Sequence, residues 1–435
     1  MKMSVIGAGY LGAVHAACMA ELGHEVVGVD TDAAKVAALA EGRPPFFEPD
    51  LEPLLRKHTE TGRLRFTTSL AEAAEDGEVH FVCVGTPQQE GRPGADTSAV
   101  ESVIAELAPR LRPGALVVGK STVPVGLAAT LRATVRAQAP AGADLAWNPE
   151  FLREGYAVAD TLAPDRIVVG SASPEPVEKL REVYREPLSQ GTPFLTVGLE
   201  TAELVKVAAN SFLATKISFI NAMAEVCEKT GADVVELADA VGYDERIGHR
   251  FLKAGLGFGG GCLPKDIRAF QARATELGLA RSVGFLGEID EINIRRRQRT
   301  VDLAHEVLCG RVSGRRLAVL GAAFKPNSDD VRDSPALDVA DQLHLRGAEV
   351  VVYDPEARAT AARRSPHLTY AGSLHEAVAG AELVLLLTEW AEFVAMDPTV
   401  LGAKVRTKAI VDARNVLDPQ AWRSAGWTYR ALGRG

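Results

Sequence analysis

The 435-residue chain has no apolar run that reaches the ~18 residues a membrane span needs, so no membrane partner is expected. It has no basic excess either. Its 48 Lys and Arg stand against 57 Asp and Glu, a net charge of -9, which leaves little to neutralise a phosphate backbone and excludes a nucleic-acid binder. The one basic cluster, RRRQR (295–299), lies in a helical pattern and reads as a solvated face. Cysteines are few. The five show no CxxC spacing, which argues against a disulfide framework and predicts a reducing, cytoplasmic setting. The nine histidines form no HxxxH pair, so no metal site is expected. Nothing resembling a leader precedes the first strand-like run, MSVIG.

What is present is β/α alternation. The runs MSVIG, HEVVGVD, VHFVCVG, ALVVG and RIVVG alternate with helical stretches, and this predicts a doubly wound parallel sheet. From about 199 to 310 the pattern turns to long helices, with Leu204, Val207, Ala208 and Ser211 expected on one side of the first. From 315 the alternation returns. SLAEAAEDGEVHFVCVGTP (69–87) and SLHEAVAGAELVLLLTEW (373–390) echo each other. The expected organisation is therefore α/β: two Rossmann-like parallel sheets, at 1–198 and 311–435, joined by a helical dimerisation segment at 199–310.

GAGYLG (7–12) fits G-x-G-x-x-G, follows a strand, opens a helix, and has Asp30 at the end of the next strand. In that context it predicts a dinucleotide site. Gly7 permits the turn, Gly9 lets a pyrophosphate approach, and Gly12 packs helix on sheet. Asp30 accepts from the ribose hydroxyls. With Asp32 close by and no arginine adjacent, the prediction is NAD rather than NADP. Lys35 could reach the same ribose. Thr86 and Thr122, each ending an apolar strand, are placed to meet the nicotinamide half.

Two pairs spaced by four, Glu150–Glu154 and Lys206–Asn210, would each project from one face of a helix. Between 255 and 261 lie five glycines, suited to close ligand approach, and Cys262 follows at once with Lys265 and Asp266 behind it. Nearby cations or amide dipoles can bring a thiol into the nucleophilic range. Cys18, Cys83, Cys227 and Cys309 sit in apolar patterns and read as buried packing residues. A hydride acceptor combined with a nucleophilic thiol suits oxidation of an alcohol through an aldehyde to an acid. Thiolate addition makes the aldehyde carbon tetrahedral and able to release a second hydride.

Eight ordered motifs carry a resemblance: GAGYLG, VGTP, KSTVPVG, NPEFLREG, LVKVAANSFLATKISFINAMAEVCE, RIGHRFLKAGLGFGGGCLPKD, GAAFKPNSDDVRDSPA and DARN. The chain resembles the UDP-glucose/GDP-mannose dehydrogenase family of nucleotide-sugar 6-dehydrogenases along almost its whole length. The resemblance implies NAD-dependent, four-electron oxidation of UDP-glucose at C6, with other nucleotide sugars (TDP-glucose, GDP-mannose) or a catalytically silent binder as alternatives. It implies Cys262 as nucleophile, Lys206 and Asn210 at the oxyanion and an ordered water, and Asp266 in proton transfer. Glu150 would be acid/base in thioester hydrolysis, with Thr122 positioning water. Tyr10, Leu11, Glu154, Lys265 and Arg332 would contact NAD. Phe151, Leu152, Lys253, Gly257, Phe258, Gly259, Phe324, Lys325 and Arg414 would bind the nucleotide sugar. Arg246 would reach it from the partner of a homodimer. One departure from the family is Gly261, where the family usually has serine (GGSC).

Overall fold

The computed structural model describes residues 1–434. The chain forms two compact units: Met1–Ala209 with Arg268–Ala280, and Asn210–Ile267 with the chain from Arg281 onward.

The first unit is built on an eight-stranded sheet: β1 (Lys2–Ile6), β2 (Glu25–Val29), β3 (Leu64–Thr67), β4 (Val79–Val82), β5 (Leu116–Gly119), β6 (Asp144–Trp147), β7 (Ile167–Gly170) and β8 (Phe194–Val197). Their order is β3-β2-β1-β4-β5-β6-β7-β8. The first six strands give the Rossmann order 3-2-1-4-5-6 and run parallel. Central strands covered on both faces need unbroken apolar runs, and VHFV and LVVG are buried at every position. The expectation of a wholly parallel sheet fails at its end, because β7 pairs antiparallel with β6 at Trp147–Gly170. A parallel return needs an element as long as the strand. The only helix between them, Ala157–Leu162, rises about 9 Å against about 13 Å for a four-residue strand. The chain therefore enters β7 from the opposite direction.

The second unit carries a six-stranded sheet: β9 (Arg316–Leu320), β10 (Glu349–Tyr353), β11 (Thr369–Tyr370), β12 (Leu383–Leu386), β13 (Ala409–Asp412) and β14 (Thr428–Ala431). The order β11-β10-β9-β12-β13-β14, parallel throughout, repeats that of the first six strands. Among the described residues no helix is long and apolar enough to cross a membrane.

Two long helices, Leu199–Thr230 and Phe285–Val307, occupy the middle of the sequence. In the first, Leu204, Val207, Ala208 and Ser211 share one side as expected; Val207 and Ser211 are buried, whereas Leu204 and Ala208 are exposed. The second corrects the reading of RRRQR as solvated. Arg296 and Arg297 are buried, on the inner face of the helix with Thr300 and Ala304. Their charge is compensated by carboxylates distant in sequence, Glu228 for Arg296 and Asp333 and Asp338 for Arg297.

Candidate active site

In the first unit, Gly7 turns the chain after β1 at φ 91°, and an added Cβ would lie 2.9 Å from the Val84 backbone. Gly9 is the N-cap of the helix Tyr10–Glu21, and a Cβ there would meet no atom within 4 Å. A Cβ on Gly12 would fall 1.8 Å from the Gly7 carbonyl oxygen, so only glycine lets the helix start this close to the turn. The space over Gly9 and the helix N-terminus fit a pyrophosphate. At the end of β2, Asp30 Oδ2 accepts from Lys35 Nζ at 2.8 Å and Oδ1 from the Asp32 amide at 3.0 Å. Asp32 itself caps the helix Ala33–Ala40 through Ala34 and Lys35. Tyr10 turns toward Phe46 and donates to Glu48, which also accepts from the Gly155 and Ala157 amides at 2.6 and 2.7 Å. Leu11 packs against the apolar core of this unit.

The ends of β4, β5 and β6 are tied together. Thr86 Oγ1 donates to the Thr122 carbonyl at 2.7 Å, and Thr122 is half-buried. After β6, the pair Glu150–Glu154 is not helical, contrary to the spacing argument. Residues 151–153 are irregular, and Gly155 adopts φ 77°. Pro149 precedes this stretch, and Glu150 Oε2 accepts from the Leu152 amide at 2.8 Å, which closes a local turn in place of a helical bond. Glu150 Oε1 accepts from Lys206 Nζ at 2.8 Å, with the ammonium 5.8 Å from the Phe151 ring centre. Leu152 is half-buried and packs on the apolar core, and Glu154 is buried. Lys206 and Asn210 do share one regular helix, as their spacing predicts.

In the second unit, the Cys262 thiol-bearing residue is exposed at the start of the helix Leu263–Glu276. The Asp266 amide donates to the Cys262 carbonyl at 2.9 Å, so the cysteine sits one turn before a carboxylate that is 1% exposed. Pro264 lies in the first turn of this helix, where its missing N–H costs nothing. Asp266 Oδ2 accepts from Asn210 Nδ2 at 2.7 Å, and Lys265 Nζ lies 2.8 Å from Oδ1. Burial pushes the Cys18 and Cys83 thiols up to about 12, so neither is a competing nucleophile. Cys227 is buried as expected, but Cys309 is exposed, because it lies past the last turn of Phe285–Val307 at φ 51°.

The glycine strip approaches the protein's own atoms. Gly257 has φ 96°, and a Cβ there would lie 2.3 Å from Asn293 Oδ1. At Gly261 a Cβ would fall 2.4 Å from Arg332 Cζ, so the guanidinium, held by Asp330, fills the place where a side chain would begin. Gly259 lies against the Asp333 carbonyl, and the Phe324 ring packs on Gly260 with Lys325 Nζ 5.3 Å from its centre. Arg414 gathers the strip, donating to the carbonyls of Leu387, Gly257 and Phe324 at 2.7, 3.0 and 3.3 Å. Phe258 is buried and Lys253 exposed. Arg246 is also exposed, its guanidinium bound to Asp244.

Sequence reading missed the residues that hold these segments in place. Asn293 accepts from the Phe258 amide at 2.7 Å and donates back to its carbonyl at 2.9 Å, while Asn221 accepts from the Gly255 amide at 2.9 Å. Glu203 accepts from the Gly126 and Ala128 amides at 2.8 and 2.7 Å, and burial pushes its carboxyl pKa up. A lone polar residue recurring inside an amphipathic helix is the only signal any of these gave.

Three domain profiles of one family match in order: the NAD binding domain over 1–188, the central domain over 200–295 and the UDP binding domain over 318–419. The UDP-glucose 6-dehydrogenase of Pseudomonas aeruginosa is 41% identical, covering 100% of this chain and 98% of that protein. That of Rhizobium meliloti is 40% identical over 100% of both. A solved UDP-glucose dehydrogenase from Pyrobaculum islandicum superposes with a TM-score of 0.91 at 38% identity, covering 100% of this chain and 98% of that one. The chain belongs to the UDP-glucose/GDP-mannose dehydrogenase family, with the NAD-binding domain of that family at its N-terminus.

Proposed function

We propose that this NAD-dependent oxidoreductase converts UDP-glucose to UDP-glucuronate by two successive oxidations at C6, in the cytoplasm, through adducts on Cys262. The observation that carries the reading is an exposed thiol placed one helical turn before a buried carboxylate that is bonded to an amide. Gly7–Gly12 and Asp30 would hold NAD, which when bound would supply the hydride acceptor, one NAD for each oxidation. In the first, the C6 hydroxyl gives up its proton to a base as a C6–H bond gives up its hydride, leaving an aldehyde. Cys262 Sγ then bonds to C6, its proton passing toward Asp266, and the resulting oxyanion is stabilised by Lys206 and Asn210. Loss of the second hydride leaves a thioester. Glu150 deprotonates water, whose oxygen bonds to C6; the C–S bond then breaks, and the acid leaves with the cysteine restored.

The sequence organisation read as 1–198, 199–310 and 311–435 assigns the NAD half to the first segment and the nucleotide-sugar half to the last. Thr86, Thr122, Glu154, Lys265 and Arg332 serve the cofactor side. Phe151, Leu152, the strip 257–259, Lys253, Phe324, Lys325 and Arg414 serve the sugar side. Phe212, Phe219 and Val226, seven residues apart on one helix and 67%, 49% and 51% exposed, support a homodimer, with Arg246 donated across it.

Purified enzyme should release two NADH per UDP-glucose and favour it over TDP-glucose and GDP-mannose. Cys262→Ser should form no glucuronate at a measurable rate. Full turnover in that variant would sink the thioester route, and a preference for GDP-mannose would sink the substrate.

A further inference from the structure

Lys120 follows β5 and is 6% exposed. Its Nζ lies 5.7 and 6.0 Å from the ring centres of Phe81 and Tyr184. No carboxylate among the described residues stands within 4.0 Å of it. Burial pushes its ammonium down to about 8, with Cys83, Glu150 and Lys206 as the charged or titratable groups that act on it. A methionine would fill the same length without the desolvation cost of a cation, so packing does not explain the charge.

What the charge touches is Asn148. Lys120 Nζ donates to Asn148 Oδ1 at 2.9 Å and to its backbone carbonyl at 3.4 Å. Tyr184 donates to the same Oδ1 at 2.7 Å, Asn148 Nδ2 donates to the Val168 carbonyl at 2.8 Å, and its amide to the Gly119 carbonyl at 2.8 Å. Every polar atom of Asn148 is thereby fixed from beneath, and two residues on the chain presents Glu150 to Lys206.

We propose that Lys120 is a positioning residue which, through Asn148 and with Tyr184, fixes the Asn148-Pro149-Glu150 segment so that Glu150 meets Lys206 in the orientation thioester hydrolysis requires. The role in hydrolysis rests on the function proposed above; the fixing of the pair does not.

Lys120→Met should lower kcat by about 30-fold or more while KM for NAD and for UDP-glucose stay within about twofold. Intact-mass spectra taken during turnover should show a sugar adduct on the enzyme. Lys120→Arg should recover part of the rate, and Tyr184→Phe, which keeps the ring, should lose about two- to fivefold. Unchanged kcat in Lys120→Met, or a loss shared equally by KM with no adduct, overturns the proposal. A second readout needs no substrate. Acetylation of Lys206 by acetic anhydride should quicken at least about threefold in Lys120→Met or Tyr184→Phe relative to Lys35, as the Glu150 pair loosens. Equal labelling overturns the proposal even if Lys120→Met fails to fold, because Tyr184→Phe reads the same contact. Wild-type enzyme that makes no NADH would instead sink the functional reading and leave the labelling result to judge this one.

Discussion

The two sheets share a strand order but use the same corner differently. In the first unit, the Gly7 turn runs straight into a helix, and the acid at the end of β2, Asp30, takes one lysine and one amide. In the second, Gly321 makes the matching turn at φ 106°, but the next helix, Pro335–Leu345, begins only after an irregular stretch. The matching acid, Asp354, is 3% exposed. Its Oδ2 accepts from the Ala322 and Ala323 amides at 2.7 and 3.0 Å and from Trp390 Nε1 at 3.1 Å. Its Oδ1 accepts from Glu356 and Ala357 at 3.0 and 2.8 Å. The acid that would receive a ribose in one sheet ties down the turn in the other. A shared topology thus fixes where an acid stands and leaves open whether it binds a ligand or the protein.

The largest effect should come from filling the open turn. Gly9→Val places a branched side chain in the cradle and should weaken NADH binding about 100-fold or more by fluorescence titration, with the Tm of the protein little changed. An unaltered affinity would mean that the cradle is not the cofactor's seat. Next in size is the pair of acids. Asp354→Asn should destabilise the second unit by about 2–4 kcal/mol in denaturant unfolding, because a charged acceptor of five donors is lost. Asp30→Asn should cost little stability and raise KM for NAD about tenfold. Equal stability losses at both positions would mean that the two acids do the same work.

The smallest effect is in acid. Burial alone would push the Asp144 carboxyl up, but Arg132, Ser173 and the Leu145 amide hold it down at about 2. Its stabilisation is present above the unfolded value of about 3.9 and is lost as pH falls through about 2. Asp412, in the second unit, is shifted the other way by burial, against the Leu417, Arg414 and Val416 amides and the Tyr429 hydroxyl. Its cost is relieved as pH falls from its folded value toward the unfolded one. Hydrogen exchange near pH 3 should therefore quicken around β6 before it does around β13; the reverse order would contradict these assignments.

What the sequence made legible follows from period. The β/α alternation and GAGYLG are local patterns, and they place the first sheet and its turn. Lys206–Asn210 was legible because its helix is long and unbroken. Glu150–Glu154 had the same spacing, yet Pro149 and Gly155 bound it and no helix forms. RRRQR misled because Glu228, Asp333 and Asp338, which make burial of its arginines tolerable, lie far away in the chain. Asn221 and Asn293 were illegible for the same reason, each answering a backbone group more than thirty residues away. The glycine strip was noticed, but its crowding by Asn293, Asp333 and Arg332 is a tertiary fact.

A guanidinium stands where a side chain at 261 would begin, but it is the tip of a long, largely exposed arm that can swing aside. A serine placed at 261 would shift the Arg332 guanidinium in its clasp on Asp330. The residue at 261 therefore decides where the Arg332 charge comes to rest.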